Sequence, residues 1–365
     1  MSSIALKTER IQVYRRINSR IVCGLRTPES RSYAAIQQVY GGCVNSNADN
    51  PIRLFHFNKS LTIKNLESSI MAARREKREY RISSLQNQVI LADALQGLRF
   101  LPEESVDLIM TSPEPFLPGQ DEDIQTAYAA YLEYMRKVIR ECGRVLTDGR
   151  FLAITASHVM IPRRTRSESS LRIAVTFDLH RIFMEEGFVF VDDIILRNAD
   201  GSGRMTGRGS RFSVDRNPLQ YKPQPVTEYL MVYRKGQDVL IDALIHDHPQ
   251  PEMVEKSRIP DGYEKTNIWN IHADPEEKYP ARFPRGLAER VVQYYSFQND
   301  VVLDPFAGIG ITARAAAEQK RRFCMIEHCV EVADYMMDDL RMRGSSFIHP
   351  FEFSFMDLRK EDDHA

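Results

Sequence analysis

VVLDPFAGIGITARAAAEQKRRFCMIE, residues 301–327, is the stretch from which the fold class of this chain is predicted. An apolar run ends at the acid Asp304, a glycine-containing turn follows, and a helical pattern then leads into a second apolar run that ends at Glu327. Strand, helix and strand in this order predict a βαβ unit, because parallel strands need a crossover between them that is usually a helix. We therefore expect an α/β fold.

The turn of this unit contains Gly308 and Gly310, and its chemistry indicates a nucleoside ligand. Glycine lets the backbone approach a ligand closely, and the N-terminus of the following helix offers unpaired N–H groups to an anion. Glu327, after the second strand, is placed to accept hydrogen bonds from ribose hydroxyls. A third glycine and a Lys-Ser/Thr pair are absent, so neither a dinucleotide nor a triphosphate is favoured. The alternative is a tight strand-to-helix turn with a capping acid.

Upstream of this unit, apolar strands alternate with helical patterns from about residue 85. Strands are predicted at 89–91, 106–110, 151–156, 188–196 and 229–233, and helices at 128–145 and near 172–186. This alternation favours an α/β sheet with helices on both faces. The last two of these strands have no helix between them, so we expect them to form an antiparallel pair.

Charge divides the chain at about residue 80. Residues 1–80 contain 14 Lys/Arg and 6 Asp/Glu, whereas the whole chain has a net charge of −1. We treat 1–80 as a basic N-terminal extension of unknown role, with one short helix at 66–82, and 81–355 as the main domain. Five cysteines without a CxxC pair favour a reducing, cytoplasmic location. No apolar stretch reaches the ~18–20 residues of a membrane span, although residues 1–40 also have the composition of some transit peptides.

A second unusual stretch, MTSPEPF (110–116), ends one of the predicted buried strands in a rigid loop. Together with DPFAGIGIT (304–312), it resembles the S-adenosylmethionine-dependent DNA amino-methyltransferases, which methylate the exocyclic amine of cytosine or adenine. The order of the two loops resembles the β-type arrangement of that family, and the resemblance covers about 85–340. It implies a Rossmann-like methyltransferase fold, with a mixed, mostly parallel sheet ending in an antiparallel strand pair.

The resemblance implies roles for the first loop in holding a base that has been flipped out of double-stranded DNA. Ser112 and the carbonyl of Pro113 are implied to accept the hydrogens of the amine, and Phe116 to stack on the base. Prolines fix φ and lack an N–H, so such a loop is stiff and presents carbonyl groups. The chain departs from the family's Ser-Pro-Pro-aromatic form. Either Glu114 is an insertion, or it takes the place of the second proline and Pro115 that of the ring.

On the cofactor side, the resemblance implies contacts with each part of S-adenosylmethionine. Asp304 is implied to lie near the methionine amine, Gly308 and Gly310 near the carboxylate, and Glu327 near the ribose. Asp93 matches the acid near the adenine amine, although capping of the helix that begins at residue 94 is the alternative. Three further residues are implied to pack against the cofactor: Phe283, Pro284 and Phe306.

Candidate phosphate contacts come from a long loop rich in Gly and Arg, 197–225. Its arginines are Arg197, Arg204, Arg208, Arg211 and Arg216. A second candidate is 163–172, and the alternative for each is a mobile surface loop. The short segment 236–267 is a candidate target-recognition insert. The histidines show no ligand spacing, so no metal is predicted.

Within the resemblance, serine at the first position of the catalytic loop favours cytosine N4 as the target. The chain is therefore predicted to be a site-specific DNA (cytosine-N4) methyltransferase, of the kind found in restriction-modification, in a bacterial, archaeal or viral host cytosol. Adenine N6 and an RNA amine are the alternatives for the substrate. A different alternative is a catalytically inactive protein that binds cofactor and nucleic acid, disabled by the extra residue of its Ser-Pro-Glu-Pro-Phe loop.

Overall fold

The computed structural model describes most of the chain after residue 84. The described ranges are 85–119, 123–161, 170–198, 227–236, 241–246, 248–271, 284–344 and 350–360. The predicted helix at 66–82 lies outside these ranges. The division of the chain at residue 80 therefore stays a prediction.

Most strands of the described residues belong to one large sheet. The strands are β1 (Gln88–Leu91), β2 (Val106–Thr111), β3 (Leu146–Ala156), β4 (Val159–Ile161), β5 (Leu171–Ile173), β6 (Phe188–Asn198), β7 (Thr227–Lys235), β8 (Ile268–Ile271), β9 (Val301–Asp304), β10 (Arg322–Glu327) and β11 (Ser354–Asp357). Nine of them form the sheet in the order β11-β1-β10-β9-β2-β3-β7-β6-β8, while β4 and β5 pair separately.

Among the described strands of the large sheet, β7 alone runs antiparallel to its neighbours. It is antiparallel to both β3 and β6, and each other neighbouring pair of the described strands is parallel. The pairing of β6 with β7, from Phe188 opposite Lys235 to Arg197 opposite Thr227, confirms the predicted antiparallel pair. The mixed, mostly parallel sheet is thereby confirmed.

Helices cover both faces of the sheet, as predicted. They are α1 (Ala94–Phe100), α2 (Ile124–Val145), α3 (Val175–Glu185), α4 (Ile241–His246), α5 (Pro251–Lys256), α6 (Arg285–Tyr295), α7 (Ile311–Glu318) and α8 (Val330–Gly344). Helices α1, α2 and α3 contribute to one buried cluster, and α6, α7 and α8 to another. None of the helices in the described ranges is long and apolar enough to cross a membrane.

The position of β10 in the sheet explains why its residues 323–326 are all apolar. Its Cys324 and Ile326 pack in the cluster with α1–α3, whereas Phe323 and Met325 pack in the cluster with α6–α8. Successive side chains of a strand point to opposite faces, so a strand that is covered on both sides needs apolar residues at every position. The βαβ unit of β9, α7 and β10 is parallel, with Val301 opposite Arg322, as the sequence predicted.

Some elements differ from the sequence prediction. The helix expected near 172–186 begins only at Val175, because Leu171–Ile173 pairs with Val159–Ile161 and its backbone is extended. Two edge strands were not predicted: β8 lies parallel to β6, and β11 lies parallel to β1. Both are four residues long, and their pairing partners are distant in sequence.

Candidate active site

The two predicted site loops meet at one edge of the sheet. Strand β2 pairs with β9 through Ile109 and Leu303, and β9 pairs with β10 through Asp304 and Met325. These strands are parallel, so their carboxyl ends lie at the same edge, where ligands bind in open α/β sheets. The predicted catalytic loop (112–116), called the catalytic loop below, follows β2 directly. The glycine-containing turn (305–310), called the cofactor turn below, follows β9, and Glu327 ends β10. Strand topology therefore brings together segments about 190 residues apart.

Asp304 is completely buried, and its carboxylate accepts hydrogen bonds from neighbouring groups of the protein. Its Oδ1 accepts hydrogen bonds from the Thr111 hydroxyl (2.8 Å) and the Phe306 N–H (3.1 Å), and its Oδ2 accepts one from the Thr312 hydroxyl (2.7 Å). Burial raises the pKa of Asp304 to about 6, although these hydrogen bonds act in the opposite direction. Asp304 thus joins the end of the catalytic strand to the cofactor turn and to the first turn of α7.

Glu327 fixes the glycine-containing turn to the end of β10. Its Oε2 accepts the Gly308 N–H at 2.8 Å, and its Oε1 accepts the Cys329 N–H at the same distance. The Nδ1 of His328 lies 3.2 Å from Oε1. Each carboxylate oxygen has two lone pairs, so Glu327 retains the capacity to accept a ligand hydroxyl. The acid chosen from the sequence is therefore buried at the loop, where it organises the backbone.

The two glycines of the turn are required for different reasons. Both have positive φ, +54° for Gly308 and +79° for Gly310, a region that disfavours other residues. A Cβ at Gly310 would lie 2.6 Å from Cγ of Met336, so helix α8 packs against this position. A Cβ at Gly308 would meet nothing within 4 Å. The open side of Gly308, next to Glu327, is therefore the part of the turn with room for a cofactor.

The catalytic loop is more exposed than the cofactor turn. Ser112 and Pro113 are half-buried, whereas Glu114 and Pro115 are exposed. Phe116 is only 5% exposed. Because this ring packs within the protein, stacking on a base requires that it be uncovered first.

Phe116 and its backbone are held by tyrosines of α2. The Phe116 ring centroid lies 5.1 Å from that of Tyr128 and 5.6 Å from that of Tyr131. The Tyr131 hydroxyl donates to the carbonyl of Glu114 at 3.5 Å, and burial raises the pKa of Tyr131 to about 12. Neither tyrosine was predicted to belong to the site, although their three-residue spacing on one predicted helix places them on one face.

Asp93 performs the capping role that the sequence allowed as an alternative. Its Oδ1 accepts the Leu95 N–H at 2.9 Å, as the N-cap of α1. Its Oδ2 accepts the hydroxyl of Tyr134 at 2.8 Å. Burial, and then this hydrogen bond, raise the pKa of Tyr134. Asp93 is thus tied to the helix that also supports the catalytic loop, and its contact with a cofactor adenine stays a prediction.

Other predicted site residues are only partly described. Pro284 is the residue before α6, and Phe306 packs against the cluster with α1–α3. Arg197 is exposed near the end of β6, a strand that runs in the same direction as β3. The residues that lie outside the described ranges are Arg204, Arg208, Arg211, Arg216 and Phe283. Among the residues that are described, no group of three or more His, Cys, Asp or Glu could hold a metal ion.

Comparison with known proteins gives one family. The model of the family described as DNA methylase, N6_N4_Mtase, matches residues 106–338, well over half of the chain. The match includes the catalytic loop, the cofactor turn and the strands that carry them.

Individual relatives and structures are similar over most of the same region. The DNA adenine methyltransferase YhdJ of Escherichia coli strain K12 is 27% identical over 253 residues, covering 66% of this chain and 77% of that protein. The type II methyltransferase M.BglII of Bacillus subtilis is 26% identical over 246 residues, covering 65% and 64%. The structure of a DNA modification methylase from Thermus thermophilus, TTHA0409, complexed with S-adenosyl-L-methionine, has a TM-score of 0.58 and 28% identity, covering 74% of this chain and 98% of that one.

Proposed function

Because this chain belongs to the N6/N4 DNA methylase family, and is therefore an S-adenosylmethionine-dependent DNA amino-methyltransferase, we propose that its target is the N4 amine of cytosine in a flipped-out base. The observation that carries this proposal is the position of Ser112, at the carboxyl end of β2 beside the cofactor turn. Serine at the first position of this loop favours cytosine within the family that the chain resembles.

The cofactor would be held by the turn after β9 and by the acid that ends β10. S-adenosylmethionine supplies an electrophilic methyl group on a sulfonium sulfur. The open side of Gly308 leaves room for the methionine part, and Glu327 is positioned to accept ribose hydroxyls with its remaining lone pairs. Asp304 has no exposed surface, so we assign its effect on the methionine ammonium to its negative charge.

The chain's own contribution to the chemistry is to position the base amine. The lone pair of this amine is delocalised into the ring, so the amine is a weak nucleophile. Ser112 Oγ and the carbonyl of Pro113 would accept its two hydrogens and hold the nitrogen in line with the methyl group. Positioning of this kind contributes most of the rate enhancement that such a loop can supply. Phe116 would then cover the base, once its ring leaves Tyr128 and Tyr131.

The test is the chemical identity of the methylated base. Purified protein, S-adenosylmethionine and genomic DNA that lacks methylation should produce N4-methylcytosine, which mass spectrometry of the digested nucleosides separates from N6-methyladenine. A protein in which Ser112 is replaced by alanine is the control for activity of a contaminating enzyme. Absence of both modified nucleosides, with cofactor and DNA binding intact, would contradict the activity itself.

Adenine N6 is the second candidate target. It is favoured by the similarity to YhdJ, which is described as a DNA adenine methyltransferase and matches 66% of this chain. The two candidates require the same fold and the same loops, so the nucleoside analysis decides between them. A parallel incubation with RNA tests the third candidate substrate. Methylation of RNA, with DNA left unmodified, would identify RNA as the substrate.

A further inference from the structure

Several exposed apolar side chains lie on segments that follow the carboxyl ends of β2 and β3. Three of the four most exposed large apolar side chains in the described ranges lie on segments that follow these two ends. They are Leu117 in the loop after β2, Leu171 in the β4–β5 hairpin, and Phe177 in the first turn of α3. Of these three, Phe177 has contacts that connect it to the catalytic loop, so it is the candidate for a binding residue.

Phe177 is the aromatic residue among these three, and one side of its ring packs against His158. It is 63% exposed, and its centroid lies 5.2 Å from that of His158, with the rings at 61°. His158 is itself fixed by the Thr176 hydroxyl, 3.2 Å from Nδ1, and by the ring of Tyr229 at 5.6 Å. Burial lowers the pKa of His158, and Arg172 acts in the same direction. Phe177 therefore presents an exposed ring that packs against an aromatic side chain held by its own contacts.

A chain of side-chain contacts connects this ring pair to the catalytic loop. Asp178, the next residue after Phe177, accepts the Tyr128 hydroxyl at 2.8 Å, and Tyr128 packs directly against Phe116. His158 lies two residues beyond the end of β3, the neighbour of the catalytic strand β2. The exposed ring is thus on the same edge of the sheet as Ser112 and is attached to the helix that supports the catalytic loop.

We propose, on the basis of the function proposed above, that Phe177 backed by His158 is a second stacking surface, which contacts a base of the DNA substrate outside the Ser112–Phe116 loop. The occupant is a nucleobase because a base that leaves the duplex uncovers a π face of its neighbours, and an exposed aromatic ring can stack on such a face. Two exposed arginines, Arg172 and Arg181, lie within five residues of Phe177 and are suited to the adjoining phosphates.

The experiment compares DNA binding of Phe177 variants with that of a matched variant. Phe190 is also an exposed phenylalanine with a histidine, His180, at 5.2 Å. It lies opposite Tyr233, about 13 Å along β7 from the edge at which Tyr229 supports His158. Phe190→Ala therefore removes the same kind of ring from the same kind of contact, away from the catalytic edge.

Binding is measured with a mixed-sequence duplex in the presence of S-adenosylmethionine. Phe177→Ala should weaken DNA binding roughly 5- to 150-fold, the loss of one stacked base, while Phe177→Tyr stays close to wild type and Phe190→Ala has no effect. Cofactor affinity should be unchanged in all variants, which shows that they are folded. Photo-crosslinking with 5-iodouracil-substituted DNA should attach DNA to the peptide that contains Phe177.

Three results would overturn the proposal. They are wild-type DNA binding by Phe177→Ala, an equal loss in Phe190→Ala, and full binding by Phe177→Leu, which would mean apolar contact without stacking. Failure of the proposed function is recognised separately. A wild-type protein that binds DNA and cofactor but forms no methylated base would contradict methyl transfer, and the binding comparison would still decide the role of Phe177.

Discussion

The cofactor turn and the catalytic loop lie side by side at one edge of the sheet, but they are built differently. In the cofactor turn, Asp304 and Glu327 are buried, and every carboxylate oxygen of both accepts a hydrogen bond from the protein. In the catalytic loop, Glu114 and Pro115 are exposed, and α2 supports the loop through one long hydrogen bond from Tyr131 together with ring contacts of Phe116.

This difference matches the two ligands proposed for the site. A cofactor of constant shape is best bound by a preorganised site, because ordering a loop on binding costs conformational entropy. A base that leaves a duplex needs a loop that can admit it and then cover it. Thr111 connects the two regions, since it ends the catalytic strand and its hydroxyl donates to Asp304. Substitutions in each region test whether cofactor binding and methyl transfer can be changed independently of each other.

The largest effect is expected on the catalytic side. Ser112→Ala should slow methyl transfer on the order of 10²-fold or more, because a misplaced amine forfeits the advantage of proximity. Cofactor affinity should not change, since the turn that would bind it is built from other residues. Single-turnover rates at saturating cofactor, with calorimetry of S-adenosylmethionine binding, measure the two quantities. Ser354→Ala, an exposed serine on the edge strand β11, is the matched control.

On the cofactor side, substitution of Gly310 is expected to cost more stability than substitution of Gly308, and substitution of Gly308 is expected to reduce cofactor affinity. Gly310→Ala places a methyl group against Met336 and should lower the free energy of unfolding by about 1–3 kcal/mol, from overpacking, beyond the ~1–2 kcal/mol of a left-handed conformation. Gly308→Ala has the same left-handed cost of ~1–2 kcal/mol but lacks the clash, so it should destabilise less than Gly310→Ala and should in addition weaken cofactor binding. Chemical denaturation and calorimetry separate the two, and identical effects of both substitutions would contradict the distinction.

An intermediate effect is expected from the titration of Asp304. Because burial raises its pKa to about 6, the negative charge that we assign to binding of the cofactor ammonium is lost as pH falls through 6. S-adenosylmethionine affinity should then decrease by up to about tenfold per pH unit. Thr111→Val removes a donor to the carboxylate and should move this decrease in affinity to higher pH. Thr111→Ser keeps a hydroxyl donor and should retain the wild-type pH dependence.

The control for this titration is protein stability, which has the opposite sign. A carboxyl group with a raised pKa in the folded state binds protons more tightly there than in the unfolded chain. Its contribution to the free energy of unfolding therefore increases as pH falls from about 6 toward 4. Asp304→Asn should remove both dependences. A cofactor affinity that stays flat between pH 5 and pH 8 in the wild-type protein (about one unit or more on either side of this pKa) would exclude the charge of Asp304 from cofactor binding.

The smallest effect is expected at Glu114. Its side chain is exposed, so Glu114→Gln should change the single-turnover rate by no more than about twofold, the usual range for an exposed position. A loss as large as that of Ser112→Ala would instead make the carboxylate an acceptor for the amine. Deletion of Glu114, which restores Ser-Pro-Pro-Phe, should leave an already active enzyme active. Activity that appears only after the deletion would support the inactive alternative.

The sequence by itself determined the local elements and the positions of the two loops. The parallel βαβ unit, the helices on both faces and the antiparallel pair of β6 and β7 follow from periodicity and connection length, and the structure confirms them. The family that the two loops resemble is also confirmed. These features are encoded by residues that are close in the chain, where turn chemistry and alternation of apolar side chains carry the information.

Only the tertiary structure decided what the site residues contact. Thr111 reaches Asp304 across 193 residues, and Tyr134 reaches Asp93 across 41. The burial of Phe116 likewise depends on where helix α2 lies over the sheet. Edge strands β8 and β11 carry too few residues to be recognised without their partners. The physical reason is that strand order, register and helix placement select these contacts, whereas local propensity does not distinguish an exposed serine, tyrosine or acid from a buried one.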